Sequence, residues 1–591
     1  MDAAPRRDRD VPAWTLLVLL ALVSLFLNHA YLRGGFQADD LLLLNLMHQE
    51  PRPYSFWSGF WALPFERWPN FTSLWWFEPG VRGAFFRPFP SLVFATSVRL
   101  CGENALPLHF LSILLHAGVA FAAFLLFARL GAKRLVSFLA ALIFLACEDH
   151  SMGIGWIATM TDLLCVQFIM LALLAHLRWR RTHRLADLLL VLVPLALAFG
   201  SKETAVVVPI LIVLLELLLP AAGAVVDRWR LFASGWRDWS PPLAALLVYL
   251  AIYKVSGAGM RNLMYVDPLT QPLAYLRHLA LHLPVMFLAT VTPLPPSAAV
   301  FQPAALVPMA LAGLAAVALL VLGLWPLRRD PLIRWTFVAY LIVLLPQLGA
   351  DASERLLYFP FVPATFFLAS LLVTIRARRG APTDPPFLTR ALGWAVLLVV
   401  LVPGFILSAA ESGYMVRSLR KPERDVLTSL DAVRARRPAE IVLLNTSGPF
   451  ITFYPGGVYE YHLGRPQPTR VLSSLSGKMT IERLGTASIV LRTDRPGWLS
   501  NMFARVARWH ERLTPGRVYP TSLFDATLLE LTPDGRDALA VRFDFRRALD
   551  DPSLLFLVWD GARFAPFEFG SLSPGERRPL ADTADVWAGF M

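Results

Sequence analysis

Apolar residues fall in long unbroken runs over the first two thirds of the chain and in short, alternating runs over the last third. Runs near 12–32, 105–128, 135–147, 157–177, 185–200, 204–219, 241–255, 304–326, 333–347, 358–375 and 391–410 approach the length that crosses roughly 30 Å of hydrocarbon, some of them by extending into flanking residues. They predict a polytopic α-helical membrane domain over residues 1–410 with about eleven spans. The segment 273–291 is also apolar but carries Arg277, His278 and His282, and it reads as an interfacial or re-entrant helix on the outer face. Residues 88–101 read as a short amphipathic stretch leading into the second span.

After residue 410 the pattern changes to strand-like runs at 440–445, 488–492, 526–531, 538–544 and 554–559. Pro455-Gly456-Gly457 and Pro533-Asp534-Gly535 read as turns between such runs, and one helix is expected near 499–513. Residues 411–591 are therefore expected to form a small β-rich α+β domain. No helical repeat of about 34 residues is visible.

Basic residues orient the spans. Arg6/Arg7/Arg9, Arg129/Lys133/Arg134, Arg178/Arg180/Arg181, Arg228/Arg230, Arg328/Arg329 and Arg376/Arg378/Arg379 all fall on one side when eleven runs span, which predicts a cytoplasmic N-terminus and an extracytoplasmic C-terminal domain. The formal net charge of +12 then needs no nucleic-acid partner; loop arginines facing anionic lipid account for it. Only 17% of the residues are charged against 56% hydrophobic, which excludes an ordinary soluble domain. The basic start followed by an apolar run reads as an uncleaved first helix, since no small-x-small cleavage site follows. The three cysteines, Cys101, Cys147 and Cys165, lie in the membrane part, so no disulfide framework holds the C-terminal domain. Together these features predict an integral protein of a bacterial inner membrane.

On the expected outer side lie the residues with chemical potential. The long first loop, 33–104, is aromatic, with Trp57, Trp61, Trp68, Trp75 and Trp76, and too apolar to be disordered. Its tryptophans read mostly as interfacial anchors, with stacking on sugar faces as the functional alternative. Asp39-Asp40 follows the first span directly; one carboxylate has the character of a general base on an acceptor hydroxyl, and the bland reading is a solvated pair or a helix cap. Arg87, the cluster Glu148-Asp149-His150 with Trp156 and Asp162, Ser201-Lys202-Glu203-Thr204, and Glu354-Arg355 with Tyr358 complete the set. Cations on this side are not explained by the positive-inside bias, and a phosphate needs such donors. Internal pairing, Lys202 with Glu203 or Glu354 with Arg355, is the bland alternative. His109 and His116, seven residues apart on one helix face, read as buried hydrogen-bonded histidines and not as a zinc site. Asn70-Phe71-Thr72 and Asn445-Thr446-Ser447 match the short glycosylation acceptor pattern, which is common by chance.

The order of these motifs resembles the protein O-mannosyltransferases of the transmembrane and tetratricopeptide-repeat type. Arg87, Pro88, His109, Leu115 and His116 match that family's Tyr-Arg-Pro-Leu and following His-rich stretch, with Ser112 where Asn is usual. His150, Trp156, Asp162, Leu163 and Leu164 match its next motif, with Cys147 and Met152 replacing a His and a Glu. Ser201-Lys202-Glu203, Glu354-Arg355-x-Leu357-Tyr358-x-Pro360 and the acidic pair Asp39-Asp40 match the rest. The resemblance covers roughly residues 10–410 and does not include the repeats. It implies a GT-C fold with its active site on the outer face and a polyprenyl-phosphate sugar as donor. It further implies Asp39 and Asp40 as catalytic residues, Arg87, Lys202 and Arg355 as donor-phosphate ligands, and His150, Asp162, Glu203, Glu354 and Tyr358 in support. The partners expected are the lipid-linked sugar and membrane lipid, with the acceptor unspecified and no nucleic acid. No cofactor is named, and a divalent metal is left open. The competing readings are a transporter or flippase of lipid-linked sugars, which should show paired repeats and broken helices near the midplane, and a non-catalytic scaffold with an exported binding domain.

Overall fold

The computed structural model describes residues 12–49, 59–64, 67, 73–219, 233, 235–268, 270–377, 385–474 and 478–582. Trp57, Trp68, Asn70-Phe71-Thr72, Arg6/Arg7/Arg9, Arg228/Arg230 and Arg378/Arg379 lie outside them. The chain forms two compact units, each discontinuous in sequence. The first comprises Met1–Gly35, Thr96–Ile252 and Leu276–Val416, and the second Phe36–Ala95, Tyr253–Tyr275 and Arg417–Met591.

The first unit is helical. Every expected apolar run carries a helix, from Ala13–Asn28 through Leu106–Arg129, Arg134–Leu145, Met160–Thr182, Leu185–Phe199, Val208–Leu218, Trp236–Val255, Leu306–Leu324, Pro331–Gln347 and Tyr358–Val373 to Phe387–Ala395 with its continuation. Among the described residues, seven helices are long and apolar enough to cross a membrane, or eight if the bent pair Arg134–Leu145 and Glu148–Gly155 counts as one. The protein is therefore an integral membrane protein. The helix Pro272–Val291, expected to lie in the interface, meets the same test of length and composition. It packs closely in the bundle: a Cβ on Gly313 would stand 2.0 Å from the Pro284 carbonyl oxygen, so only glycine permits the approach. Gly404 likewise faces the Ala146 carbonyl at 2.3 Å. Large apolar side chains such as Leu189, Leu247, Leu311 and Ile406 remain exposed, as lipid-facing positions require. Local chemistry sets the helix starts. Asp330 accepts from the Leu332 amide at 2.8 Å ahead of Pro331, and Pro107 opens the helix Leu106–Arg129.

The second unit is sheet-rich. Its strands are β1 (Arg82–Ala84), β2 (Gly259–Arg261), β3 (Glu440–Leu443), β4 (Thr469–Val471), β5 (Met479–Arg483), β6 (Ser488–Thr493), β7 (Val518–Pro520), β8 (Phe524–Leu531), β9 (Ala538–Phe545), β10 (Leu554–Trp559), β11 (Phe564–Pro566) and β12 (Arg577–Leu580). The expected strands are all present. Six strands form an antiparallel sheet in the order β12-β5-β6-β9-β8-β7, and four form a mixed sheet in the order β11-β10-β3-β4 with β3 parallel to β4 and β10. β1 and β2, too short to show in the pattern, pair antiparallel through Gly83 and Met260.

Pro455-Gly456-Gly457 is not a turn: it opens the helix Pro455–Leu463, with Pro455 in the first turn and Gly464 closing it at φ +64°. The helix expected near 499–513 shortens to Met502–Val506, capped by Asn501. Asn445 is 2% exposed and exchanges hydrogen bonds with the Trp559 backbone, so its side chain serves the sheet. Trp75 and Trp76 are core residues of this unit, correcting their reading as interfacial or sugar-stacking groups. The Trp75 indole N–H donates to the Leu472 carbonyl at 2.9 Å, and its ring packs edge-on to Tyr519 and Phe543 at 5.5 and 5.6 Å. Burying so much aromatic surface is what makes a long loop part of a domain.

Candidate functional site

Asp39 and Asp40 open the helix Asp39–His48, where the helix dipole favours carboxylates. Asp40 is 0% exposed and accepts from the Gln37 amide at 3.0 Å, which closes the turn before the helix. Asp39 is half-buried and accepts from the Tyr454 hydroxyl at 3.2 Å. The two carboxylates therefore differ: one organises backbone, the other reaches a phenol. Ala38, just before them, has φ +51°, a left-handed conformation that a side chain resists and that tertiary contacts must hold. The helix is seated on Pro455–Leu463, where Asn45 donates to the Gly457 carbonyl at 2.9 Å. Tyr454 was not found by sequence reasoning; the small residues after it, which allow this approach, were the available signal.

Arg87 belongs to the same unit. Its guanidinium lies 4.1 Å from the Phe85 ring centroid and 5.7 Å from that of Trp61. Its carbonyl accepts from Ser91, whose hydroxyl in turn accepts from the Phe60 amide, fixing the turn.

The membrane unit brings the other motifs together in pairs. The turn Glu148–His150 packs against Glu354–Leu357. His150 is fully buried, with its ring centroid 4.7 Å from Tyr358, 4.6 Å from Phe144 and 5.4 Å from His116. His116 Nδ1 lies 3.2 Å from the Tyr358 hydroxyl, and His109 Nε2 lies 3.4 Å from the Gly35 carbonyl, so both occupy buried hydrogen-bonded positions. Lys202 pairs with Asp162, and the two are 9% and 5% exposed. Glu203 begins the next 3-10 turn, Glu203–Val207. Glu354 accepts from the amide and hydroxyl of Ser297, and not from its neighbour Arg355. Arg355 is half-buried and has no side-chain partner among the described residues. Glu148, Asp149, Glu354 and Glu411 lie close enough to interact electrostatically; Glu411, on the helix Val402–Leu419, went unnoticed in the sequence.

A further group in the membrane unit has metal-ligand character: His278, His282 and Asp351, whose ligand atoms all lie within 4.8 Å of one another.

Residues 87–234 match the model of the family described as dolichyl-phosphate-mannose-protein mannosyltransferase. No curated protein matches the chain. Among solved structures, the chain is similar to the oligosaccharyltransferase AglB of Archaeoglobus fulgidus in complex with an inhibitory peptide and a dolichol-phosphate. That match has 14% identity, covers 78% of this chain and 64% of that one, and has a TM-score of 0.42. The same archaeal enzyme tethered to an acceptor peptide matches at 14% identity, 78% and 63% coverage and a TM-score of 0.38. The protein O-mannosyltransferase complex Pmt1-Pmt2 of S. cerevisiae bound to the sugar donor matches at 14% identity, 44% and 36% coverage and a TM-score of 0.28. The chain thus spans less than two thirds of the length of these proteins. The matched residues 87–234 are about a quarter of the chain and include Arg87, His150, Asp162 and Lys202.

Proposed function

We propose that the protein transfers a sugar from a polyprenyl-phosphate donor to an acceptor hydroxyl on the extracytoplasmic side of a bacterial inner membrane, with its N-terminus in the cytoplasm. The observation that carries this reading is the family match together with the ordered motifs: one acidic pair and three cations in the order that such transferases use. Arg355 supports it further, because a half-buried guanidinium with no hydrogen-bond or ion-pair partner among the described residues keeps its donors for an anion.

In the proposed reaction the bond between the anomeric carbon and the phosphate oxygen breaks, and the acceptor oxygen forms the new bond to that carbon. Asp39 takes the hydroxyl proton as the nucleophile attacks. The departing polyprenyl phosphate gains charge, which Arg355 and Arg87 stabilise. Lys202 is tied to Asp162; it adds positive potential while Asp162 holds its position. Asp40 orients the start of the helix that carries Asp39. His150 and Tyr358 pack ring to edge beside the Glu354–Leu357 turn that carries Arg355, and we assign them a supporting role. The transition state is oxocarbenium-like, as in glycoside chemistry generally.

The test uses the full-length protein in detergent or nanodiscs with a lipid-phosphate sugar radiolabelled in the sugar. Release of labelled sugar by the wild type, abolished in Asp39→Asn with an unchanged unfolding temperature, supports the reading. Turnover unchanged in that variant removes Asp39 from the base role. Movement of the intact donor across the bilayer with no cleavage favours the flippase reading instead.

A further inference from the structure

We propose that His278, His282 and Asp351 form a binding site for a divalent first-row transition-metal ion, best fitted by Zn²⁺. The two histidines are four residues apart on the helix Pro272–Val291, so they present their rings from one face. Their rings stack at 3.8 Å between centroids with 12° between planes. Asp351 comes from the segment that follows the helix Pro331–Gln347, and its carboxylate completes a set of ligand atoms within 4.8 Å of one another. His282 is 8% exposed, while His278 and Asp351 are half-buried.

The surroundings of His278 favour metal binding over a chance cluster. His278 Nε2 lies 3.0 Å from the Ala350 carbonyl oxygen, which can only accept. The ring proton therefore sits on Nε2, and Nδ1 keeps the lone pair that a metal needs. Metal-bound histidines are oriented this way by a backbone carbonyl or carboxylate. Two nitrogens and one carboxylate oxygen suit Zn²⁺, Mn²⁺ or Co²⁺ better than Mg²⁺ or Ca²⁺, which favour all-oxygen shells. Bonds of about 2.0–2.2 Å require the three groups to draw inward by small side-chain rotations. Three protein ligands leave a fourth position for water or an anionic oxygen. Asp351 stands three residues before Glu354 on the same segment, so an ion here would brace the start of the Glu354–Leu357 turn.

The test measures metal binding and not sugar transfer, so its failure is separate from failure of the proposed function. The full-length chain, purified without a polyhistidine tag and stripped with EDTA, is titrated with Zn²⁺ against a chromogenic chelator. Bound metal is counted by mass spectrometry. The expected result is one Zn²⁺ per chain in the presence of excess Mg²⁺. Binding should weaken in His282→Ala and Asp351→Asn by more than the roughly 10–100-fold that loss of an outer-shell partner costs. Where a variant fails to fold, Co²⁺ loading of the wild type decides. The expected visible spectrum is that of four-coordinate Co²⁺ with nitrogen and oxygen ligands, displaced by one equivalent of Zn²⁺. No stoichiometric Zn²⁺ in the wild type, full binding in folded His282→Ala, or a six-coordinate all-oxygen Co²⁺ spectrum would each overturn the site.

Discussion

Arg508 in the sheet-rich unit and Arg355 in the membrane unit show two ways of treating the same charge. Arg508 is 1% exposed and donates to the carbonyls of Leu499, Arg536, His510 and Glu511. Its charge is spent on ordering a loop. Arg355 is half-buried beside a glutamate that turns to Ser297 instead, and no described side chain answers it. The acids also differ in burial. Glu78 is 0% exposed and accepts from the amides of Trp509 and His510 at 2.9 and 2.8 Å, from the His510 ring at 3.1 Å, and from Tyr519 and Arg517, both at 3.3 Å. Asp39, by contrast, is half-buried and accepts from the Tyr454 phenol. A buried ion whose hydrogen-bonding capacity is filled is structural; one with capacity left over is available to a ligand.

Breaking this comparison at its functional end should give the largest effects. Asp39→Asn should lower sugar release from a lipid-phosphate donor by about 10²–10⁴-fold, as loss of a general base does; single-turnover assays check it. Arg355→Ala should cost about 10²–10³-fold in turnover and leave the unfolding temperature of the protein unchanged. If Arg355→Ala unfolds the protein as readily as Arg508→Ala does, the distinction between the two arginines fails.

At the structural end the readout is stability. Glu78→Ala leaves several donors unanswered and should destabilise the sheet-rich unit by about 3–5 kcal/mol, measured by denaturant unfolding. The same residue sets an acid limit. Burial alone would raise the Glu78 carboxyl, but the amides of His510 and Trp509, the His510 ring and the Arg517 charge outweigh it and hold the pKa below the ordinary 4.5. A depressed carboxylate contributes stability in full above its unfolded value and loses it as pH falls toward the folded one. The unit should therefore weaken below about pH 4.5, and Glu78→Gln should flatten that part of the profile. Burial and the Glu78 charge push the Tyr519 phenol up to about 12, so it stays a donor throughout that range. The smallest effect is expected at Gly457, where an added Cβ would meet Leu42 Cδ2 at 2.4 Å. Gly457→Ala should cost about 1 kcal/mol, since a side-chain end can move, and it should lower turnover slightly by shifting the Asp39 helix.

The order of apolar runs was legible because a span must satisfy its own backbone in lipid, and that demand writes itself into continuous residues. Each of the runs is a helix, and the strands at 440–443, 488–493, 524–531, 538–545 and 554–559 followed from the same local periodicity. The motifs that carry Asp39, Arg87, His150, Lys202 and Arg355 were also visible in the sequence, as short local patterns on the expected outer side. What sequence could not show was partnership. That Lys202 answers Asp162 forty residues away, that Glu354 turns to Ser297, and that Tyr454 reaches Asp39 depends on contacts between distant segments. The loop 36–95 read as an aromatic surface feature, and only the fold shows Trp75, Trp76 and Glu78 packed with residues 417–591 in one unit. Local patterns report the solvent each residue requires; which group supplies the other half of a hydrogen bond or ion pair is decided when the chain is closed in three dimensions.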